Sequence, residues 1–266
     1  MFVSRLALVF AATLALSGPA LAQSGSGRSD SSLRVGGAGI VVPTYEGSDS
    51  FTLRPVPLVE FTWRDFVFFD TRRGLGANLV TFGDPASTGT LRVGPIASWR
   101  FGRDESESDA LRGLGDIDGT LDIGVFARYT RGPVDVGLTG KRSASDSDLG
   151  GTVELSARYR MEPVGRTRIS FGPTATWADS DYMQTYFGVR ADRAAAARLA
   201  AYKPSAGLKD VGFGVQAIHP FSGNWALSAF GGYTRMVGDA ADSPIVKDRG
   251  TADQFSVGLG LSYRFW

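Results

Sequence analysis

The chain has 266 residues, with 28 basic side chains against 27 acidic ones, one histidine and no cysteine. A near-neutral charge without a basic run offers no electrostatic attraction to nucleic acid, so we expect no nucleic-acid partner. The lack of cysteine excludes disulfides, thiol catalysis and cysteine-ligated zinc.

The first 22 residues are predicted to be a cleaved secretory signal peptide. Arg5 supplies the positive start, an apolar run follows it, and an Ala-Leu-Ala tripeptide ending at Ala22 matches the small-x-small cleavage pattern. The apolar run is too short to span the roughly 30 Å hydrocarbon core as a helix. We therefore expect residues 1–22 to be the signal peptide and residues 23–266 to form one domain.

Alternation of apolar and polar side chains is the main structural signal in that domain. At the C-terminus, Val257, Leu259, Leu261, Tyr263 and Phe265 alternate with Ser256, Gly258, Gly260, Ser262 and Arg264. Successive side chains of a strand point to opposite faces, so one face is apolar and the other small or polar. No later apolar stretch approaches the roughly 20 residues of a membrane helix, and lipid cannot satisfy an open sheet edge. The pattern predicts an all-β fold, an antiparallel up-and-down transmembrane β-barrel with its apolar face toward lipid.

Twelve strands are predicted, an even number that puts both chain ends in the periplasm. They are residues 33–42, 53–62, 65–70, 74–82, 89–101, 119–129, 132–141, 150–160, 166–178, 206–219, 224–236 and 254–265. Short links then fall on the periplasmic side and longer ones outside, apart from the short link 71–73. Pro55, Pro57, Pro95 and Pro173 lie within predicted strands, where each removes a hydrogen-bond donor. Eight or ten strands therefore remain alternatives to twelve.

The longest link, residues 179–205, is predicted to contain a short helix from Ala191 to Tyr202 that Pro204 ends. Two placements are open for this link. It forms an ordered surface loop, which we favour, or it folds over or into the mouth of the barrel.

No catalytic, cofactor-binding or metal-binding residue is predicted, and the binding residues stay undefined. The sole histidine, His219, falls at a predicted periplasmic turn. The polar-face serines show no nucleophile-elbow motif, so a triad of the phospholipase type is the weakest alternative. Those serines are Ser156, Ser170, Ser228 and Ser262.

Acidic residues cluster in the predicted loop segment 104–118. They are Asp104, Glu105, Glu107, Asp109, Asp116 and Asp118. Clustered carboxylates suit a divalent cation, which could bridge lipopolysaccharide phosphates. A solvated charged loop is the simpler interpretation, and we favour it.

Arginines on the lumen-facing positions define a second functional hypothesis. They are Arg92, Arg100, Arg128, Arg158, Arg160 and Arg168. If free, they would suit anionic solutes in a narrow channel. If paired with Asp122, Asp135 and Glu154, they would help to plug the interior, and we favour that pairing.

Several stretches resemble the MipA/OmpV family of outer-membrane proteins, whose namesake is the MltA-interacting protein. They are Val42–Ser48, Leu111–Asp118, Tyr182–Val189, Tyr202–Gly207, Gly238–Val246 and Tyr263–Phe265. The resemblance implies a barrel of the Gram-negative outer membrane, in contact with outer-membrane lipid and lipopolysaccharide. It also implies a scaffolding role that joins a lytic transglycosylase to a murein synthase in peptidoglycan turnover. Other members are described as porin-like proteins or adhesins, and the family implies no catalytic residues and no cofactor.

Overall fold

The strands form one closed antiparallel barrel of twelve wall strands, as the alternation predicted. The computed structural model describes residues 31–85 and 87–266, so the predicted signal peptide lies outside the described residues. Thirteen strand segments are present in the described part, because β4 and β5 are two pieces of one wall strand. The segments are β1 (Ser32–Pro43), β2 (Phe51–Trp63), β3 (Val67–Asp70), β4 (Gly74–Ala77), β5 (Val80–Asp84), β6 (Gly89–Arg100), β7 (Thr120–Arg131), β8 (Val134–Ser143), β9 (Gly151–Arg160), β10 (Arg168–Ala178), β11 (Gly207–Ser222), β12 (Trp225–Met236) and β13 (Asp253–Arg264).

Pairing between the first and last strands closes the barrel. β1 pairs with β13 from Arg34 opposite Arg264 to Val41 opposite Val257. On the other side of the wall, β4 and β5 both pair with β6. β1 begins and β13 ends at the same end of the barrel, where the short turns also lie. Short turns face the periplasm in outer-membrane barrels, so we call this end the periplasmic end and the other the outer end.

The two faces of the wall have the polarity that the sequence predicted. Leu259 and Val125 on the outward face are more than half exposed, whereas Ser262 on the inward face is buried. Phe126 interrupts the polar face, and its ring meets that of Phe68 inside the lumen, with the ring centroids 5.4 Å apart. Exposed apolar side chains around a closed barrel form a surface for lipid.

The prolines lie where a strand edge is open or a ladder is interrupted. On β2, Val59 directs its backbone N–H and C=O to Thr71, on the side away from β1. Every second residue of a strand directs its backbone groups to the same side, so Pro55 and Pro57 face the same side as Val59. The N–H groups that these prolines lack would therefore have pointed away from β1, and the pairing with β1 stays intact. Pro95 lies opposite the break between β4 and β5. Pro173 lies in a gap in the pairing of β9 with β10.

The β3–β4 hairpin is too short to reach the outer end of the wall. Its link stops near Val59 of β2, whose carbonyl accepts from the N–H of Thr71 at 3.1 Å. On the other side, the last residue of β6 that pairs with β4 is Ala97. Beyond these points, no strand of the described chain pairs with the facing edges, residues 51–58 of β2 and 98–100 of β6. We call this gap in the outer half of the wall the notch.

The outer loops fold into a layer that we call the cap, and the main hydrophobic core lies there. It contains four short helices, α1 (Ser180–Phe187), α2 (Ala191–Ala197), α3 (Gly238–Asp242) and α4 (Pro244–Lys247). No helix of the described residues is long and apolar enough to span a membrane. The largest fully buried apolar side chains all belong to the cap, and they are Phe187, Leu111, Met183, Ile245, Val189 and Val246.

The predicted helix in the longest link was wrong in extent. It begins at Ala191 as predicted but ends at Ala197 rather than at Tyr202, because Arg198 adopts a left-handed conformation with φ 53°. A second helix, α1, precedes it, and Asp179 caps its start by accepting from the N–H of Tyr182 at 2.8 Å. The favoured placement as a surface loop was wrong for α1, which buries four of its side chains in the cap, whereas most of α2 is exposed.

Candidate functional site: an arginine-lined lumen under a loop cap

Four arginines cluster in the lumen, two from the wall and two from the β3–β4 link. Arg128 of β7 and Arg158 of β9 are each repelled by Arg73, and Arg158 also by Arg72, while Asp70 and Asp135 attract both at longer range. In the described chain, no carboxylate lies within 4 Å of Arg128 or Arg158, whereas Arg72 and Arg73 are 3.8 and 3.9 Å from Asp70. Guanidinium groups without a paired carboxylate are available to an anion.

The remaining predicted lumen arginines are mostly paired. Arg100 lies 2.6 Å from Asp122, and Arg160 lies 3.4 Å from Asp135, as the pairing hypothesis required. Arg92 instead pairs with Asp65 at 2.7 Å. The described residues give neither Arg168 nor Glu154 an ion pair. The interior is therefore charge-paired near its ends and unpaired around Arg128 and Arg158.

Two cavities that share Arg72 and Arg128 in their walls adjoin this arginine cluster. One, of about 140 Å³, is lined by Arg72, Arg73 and Arg128 together with Lys141 and Glu154. The other, of about 280 Å³, is lined by Arg72, Arg128, Arg158 and Asp135. Each could hold a small anion with its first shell of water, but neither forms a wide aqueous channel.

A buried charge network joins the cap to the barrel below it. Lys209 of β11 lies 2.7 Å from Glu46 and 2.7 Å from Asp210, and the hydroxyl of Tyr182 donates to Glu46 at 3.0 Å. Burial acts to raise the pKa of Glu46, but the ion pair with Lys209 and the bond from Tyr182 outweigh it, so that the pKa is lowered. The side chain is 41% exposed, and it lines a cavity beneath α1. The Glu46 carboxylate thus links Tyr182 of α1 to Lys209 of β11 and holds α1 across the mouth of the barrel.

The carboxylates of the acidic loop segment are used within the loop itself. Glu105 accepts from the N–H groups of Gly113 and Gly115, and Asp104 caps a turn at Ser106. Across residues 31–85 and 87–266, no group of three His, Asp or Glu side chains is arranged to hold a metal ion.

His219 lies inside β11, opposite Leu227, rather than in the turn that was predicted for it. Its Nδ1 lies 2.9 Å from the hydroxyl of Thr167 at the periplasmic end. Ser228 and Ser262 are buried at the wall, and Ser262 donates to the carbonyl of Ala226. None of the hydrogen bonds described for this histidine joins it to a serine, so the geometry supplies no triad.

The chain matches one family of known proteins over most of its length. The family described as MltA-interacting protein MipA matches residues 35–265. The MltA-interacting protein of Escherichia coli (strain K12) is 26% identical over 234 residues, 86% of this chain and 88% of that protein. The outer membrane protein OmpV of Vibrio cholerae serotype O1 is 25% identical over 183 residues, 69% of this chain and 67% of that protein.

Among solved structures, the outer membrane channel DcaP of Acinetobacter baumannii aligns with 88% of this chain and 96% of its own chain. The TM-score is 0.41 and the identity 9%. The family match runs from the first strand of the barrel to the residue after the last, and related proteins carry outer-membrane names. The chain is therefore a β-barrel protein of the cell outer membrane, and it belongs to the MltA-interacting protein (MipA) family.

Proposed function

We propose that this protein is a non-enzymatic scaffold of the outer membrane that holds peptidoglycan-processing enzymes at its periplasmic end. The related E. coli protein is named for its interaction with MltA. By that analogy, the partner class is a lytic transglycosylase, working with a murein synthase. None of the relatives reported above is named as an enzyme.

The observation that carries the proposal is a free strand edge at the periplasmic end. β5 pairs with β6 on one side, and no strand of the described chain pairs with its other side. Every residue of β5 is exposed. An exposed edge is a template for a strand from a partner, a common mode of protein recognition.

The phase of the hydrogen bonds identifies the residue that faces this edge. The N–H of Asp84 donates to the hydroxyl of Thr88, and its carbonyl accepts from the N–H of Thr88, so Asp84 faces the β6 side. Because the phase alternates along a strand, Thr81 directs its N–H and C=O to the free edge. A proline at this position removes the edge donor without breaking the ladder with β6.

Co-purification tests this proposal. Full-length protein in detergent is mixed with a lytic transglycosylase of the MltA class, and retention is compared for the wild type, Thr81→Pro and the control Thr81→Val. We expect retention by the wild type and by Thr81→Val, and loss with Thr81→Pro. If the wild type retains neither the transglycosylase nor a murein synthase, the scaffold proposal is wrong. Equal retention by both variants would show that β5 is not the docking edge.

A second candidate function is the binding or slow passage of small anions, and the unpaired guanidinium groups of Arg128 and Arg158 favour it. The cap lies across the route to the outside, which argues for binding over free conduction. Planar-bilayer recordings test it with the wild type and the double variant Arg128→Gln/Arg158→Gln. We expect small anion-selective steps that the double variant loses. If the wild type gives no current steps at any voltage, the protein is not a conducting pore.

A further inference from the structure

The notch opens beside a cavity that the proposed functions do not use. This cavity has a volume of about 250 Å³ and lies where the outer ends of β1, β2 and β6 meet the underside of α1. Its walls include Arg54 of β2, Arg100 and Arg103 from the end of β6, and Tyr186 of α1. Arg54 and Arg100 stand on the two sides of the notch, so the cavity lies at the level of the missing wall.

Two buried polar atoms, from residues that line this cavity, make no hydrogen bond of good geometry within the described chain. They are the Nε of Arg103 and the hydroxyl of Tyr186. Both side chains are more than nine-tenths buried, with Arg103 7% exposed and Tyr186 6% exposed. Burial raises the pKa of Tyr186 and outweighs the opposing effect of the nearby Arg100, so the hydroxyl stays protonated and able to donate. Unpaired buried donors are costly, so a site that retains two of them is built for an acceptor.

The guanidinium of Arg103 makes an anion the suitable acceptor. The guanidinium of Arg103 donates to the carbonyl of Tyr186 at 2.9 Å, but no carboxylate of the described chain lies within 4 Å of it. Glu46 and Glu107 also line the cavity. Glu46 lies 2.7 Å from Lys209, which also pairs with Asp210 at 2.7 Å, and Glu107 faces Arg54 at 3.7 Å. Glu46 and Glu107 therefore act on Arg103 only at longer range, and its buried guanidinium has no carboxylate from the described part of the chain in direct contact.

The lipid-side rim of the notch is apolar. Phe101, at the end of β6, is 75% exposed, and Leu53, across the notch on β2, is 69% exposed. Trp99 adds a further exposed ring on the same face of β6. An apolar rim around an opening to an arginine-lined cavity suits an amphiphilic ligand. Its acyl chains would lie on the rim and its acidic group would enter the cavity.

We propose that the notch is a lateral binding site for a phosphorylated lipid of the outer leaflet, whose phosphate accepts hydrogen bonds from Arg103 and Tyr186. The acyl chains lie against Leu53, Trp99 and Phe101. The position in the outer half of the wall puts the phosphate at headgroup level. A soluble phosphate would make no contact with the apolar rim, whereas the acyl chains of a lipid would cover it. For this reason we assign the site to a lipid.

Native mass spectrometry of the full-length protein in detergent tests this assignment with diphosphorylated lipid A as the probe. The variants are Tyr186→Phe, which removes only the hydroxyl, and Arg103→Gln. The control is Arg112→Gln, because Arg112 lies on the same loop but is largely exposed. Heat-modifiable migration on a gel verifies that every variant is folded. We expect lipid A to remain bound to the wild type and the control, and its affinity to fall by roughly tenfold or more in each test variant.

Competition with inorganic phosphate distinguishes the source of the anion. At millimolar concentration, phosphate should leave lipid A bound, since it lacks the acyl contacts. The proposal is overturned if the wild type does not retain lipid A, or if both folded test variants retain it as well as the wild type does. It is equally overturned if inorganic phosphate displaces lipid A, because the site would then recognise a free anion.

Discussion

The cap should open when its central side chain is removed, while the barrel stays folded. Phe187 is fully buried among residues of α1, α3 and the end of β12. Truncation of a buried phenylalanine to alanine costs about 3–5 kcal/mol, through lost transfer energy and the cavity that remains. We therefore expect Phe187→Ala to destabilise the closed cap by this amount. The barrel ladder shares few of these contacts, so its stability should change little.

Limited proteolysis of the outer loops measures the effect. When a cap opens and recloses faster than the protease cuts, cleavage follows the open population, so 3 kcal/mol corresponds to a rate roughly 100-fold higher. The control is Arg112→Ala, which removes an exposed side chain of the cap. Cleavage of Phe187→Ala at the wild-type rate, with the gel shift of a folded barrel intact, would refute the view that this core holds the cap closed.

Three further predictions follow from individual contacts. Folding lowers the pKa of Glu46, so the ionised Glu46 stabilises the cap. This stabilisation is complete above the ordinary pKa of glutamate. It is lost as the pH falls through the lowered pKa of the folded protein. Outer-loop proteolysis should accelerate below about pH 4 in the wild type, and Glu46→Gln should weaken that pH dependence. Gly36→Ala should impair barrel assembly, because a Cβ would lie 2.1 Å from the carbonyl oxygen of Leu261, and the heat-modifiable fraction on a gel reports it. The variant Asp122→Asn should make the outer end of β6 more susceptible to proteolysis. It removes the carboxylate charge that lies 2.6 Å from Arg100, so the partly buried guanidinium loses its counter-charge.

The barrel could be predicted from the sequence because its signal is local. A strand between lipid and a polar interior alternates with period two, and each segment carries that pattern by itself. The four prolines within predicted strands argued against some of those strands. In the structure each one lies at an open strand edge or at an interruption in the hydrogen-bond ladder. Pro55 and Pro57 lie on the edge of β2 that forms one side of the notch, although in the sequence they only weakened the strand prediction.

The cap could not be predicted in the same way, because its core is assembled from loops that are distant in the sequence. Leu111 and Ile245 meet only after the β6–β7 and β12–β13 loops converge. Arg72 and Arg73 were missed among the lumen arginines because they lie in a link, outside the alternating pattern. The unusually short link 71–73 was the one available signal, since a link of that length on the outer side indicates a hairpin that turns early.

The cap and the notch are two consequences of that early turn. A wall with unpaired edges in its outer half would be unstable in lipid, which offers no hydrogen bonds to a backbone. Here Arg54 spans part of the opening: its guanidinium donates to the carbonyl of Thr44 at 2.9 Å and lies 3.7 Å from Glu107 in the β6–β7 loop. The outer loops thus join β2 to β6 in the place of the missing ends of β3 and β4. The cavity that Arg103 lines lies beneath these loops, beside the opening that they bridge.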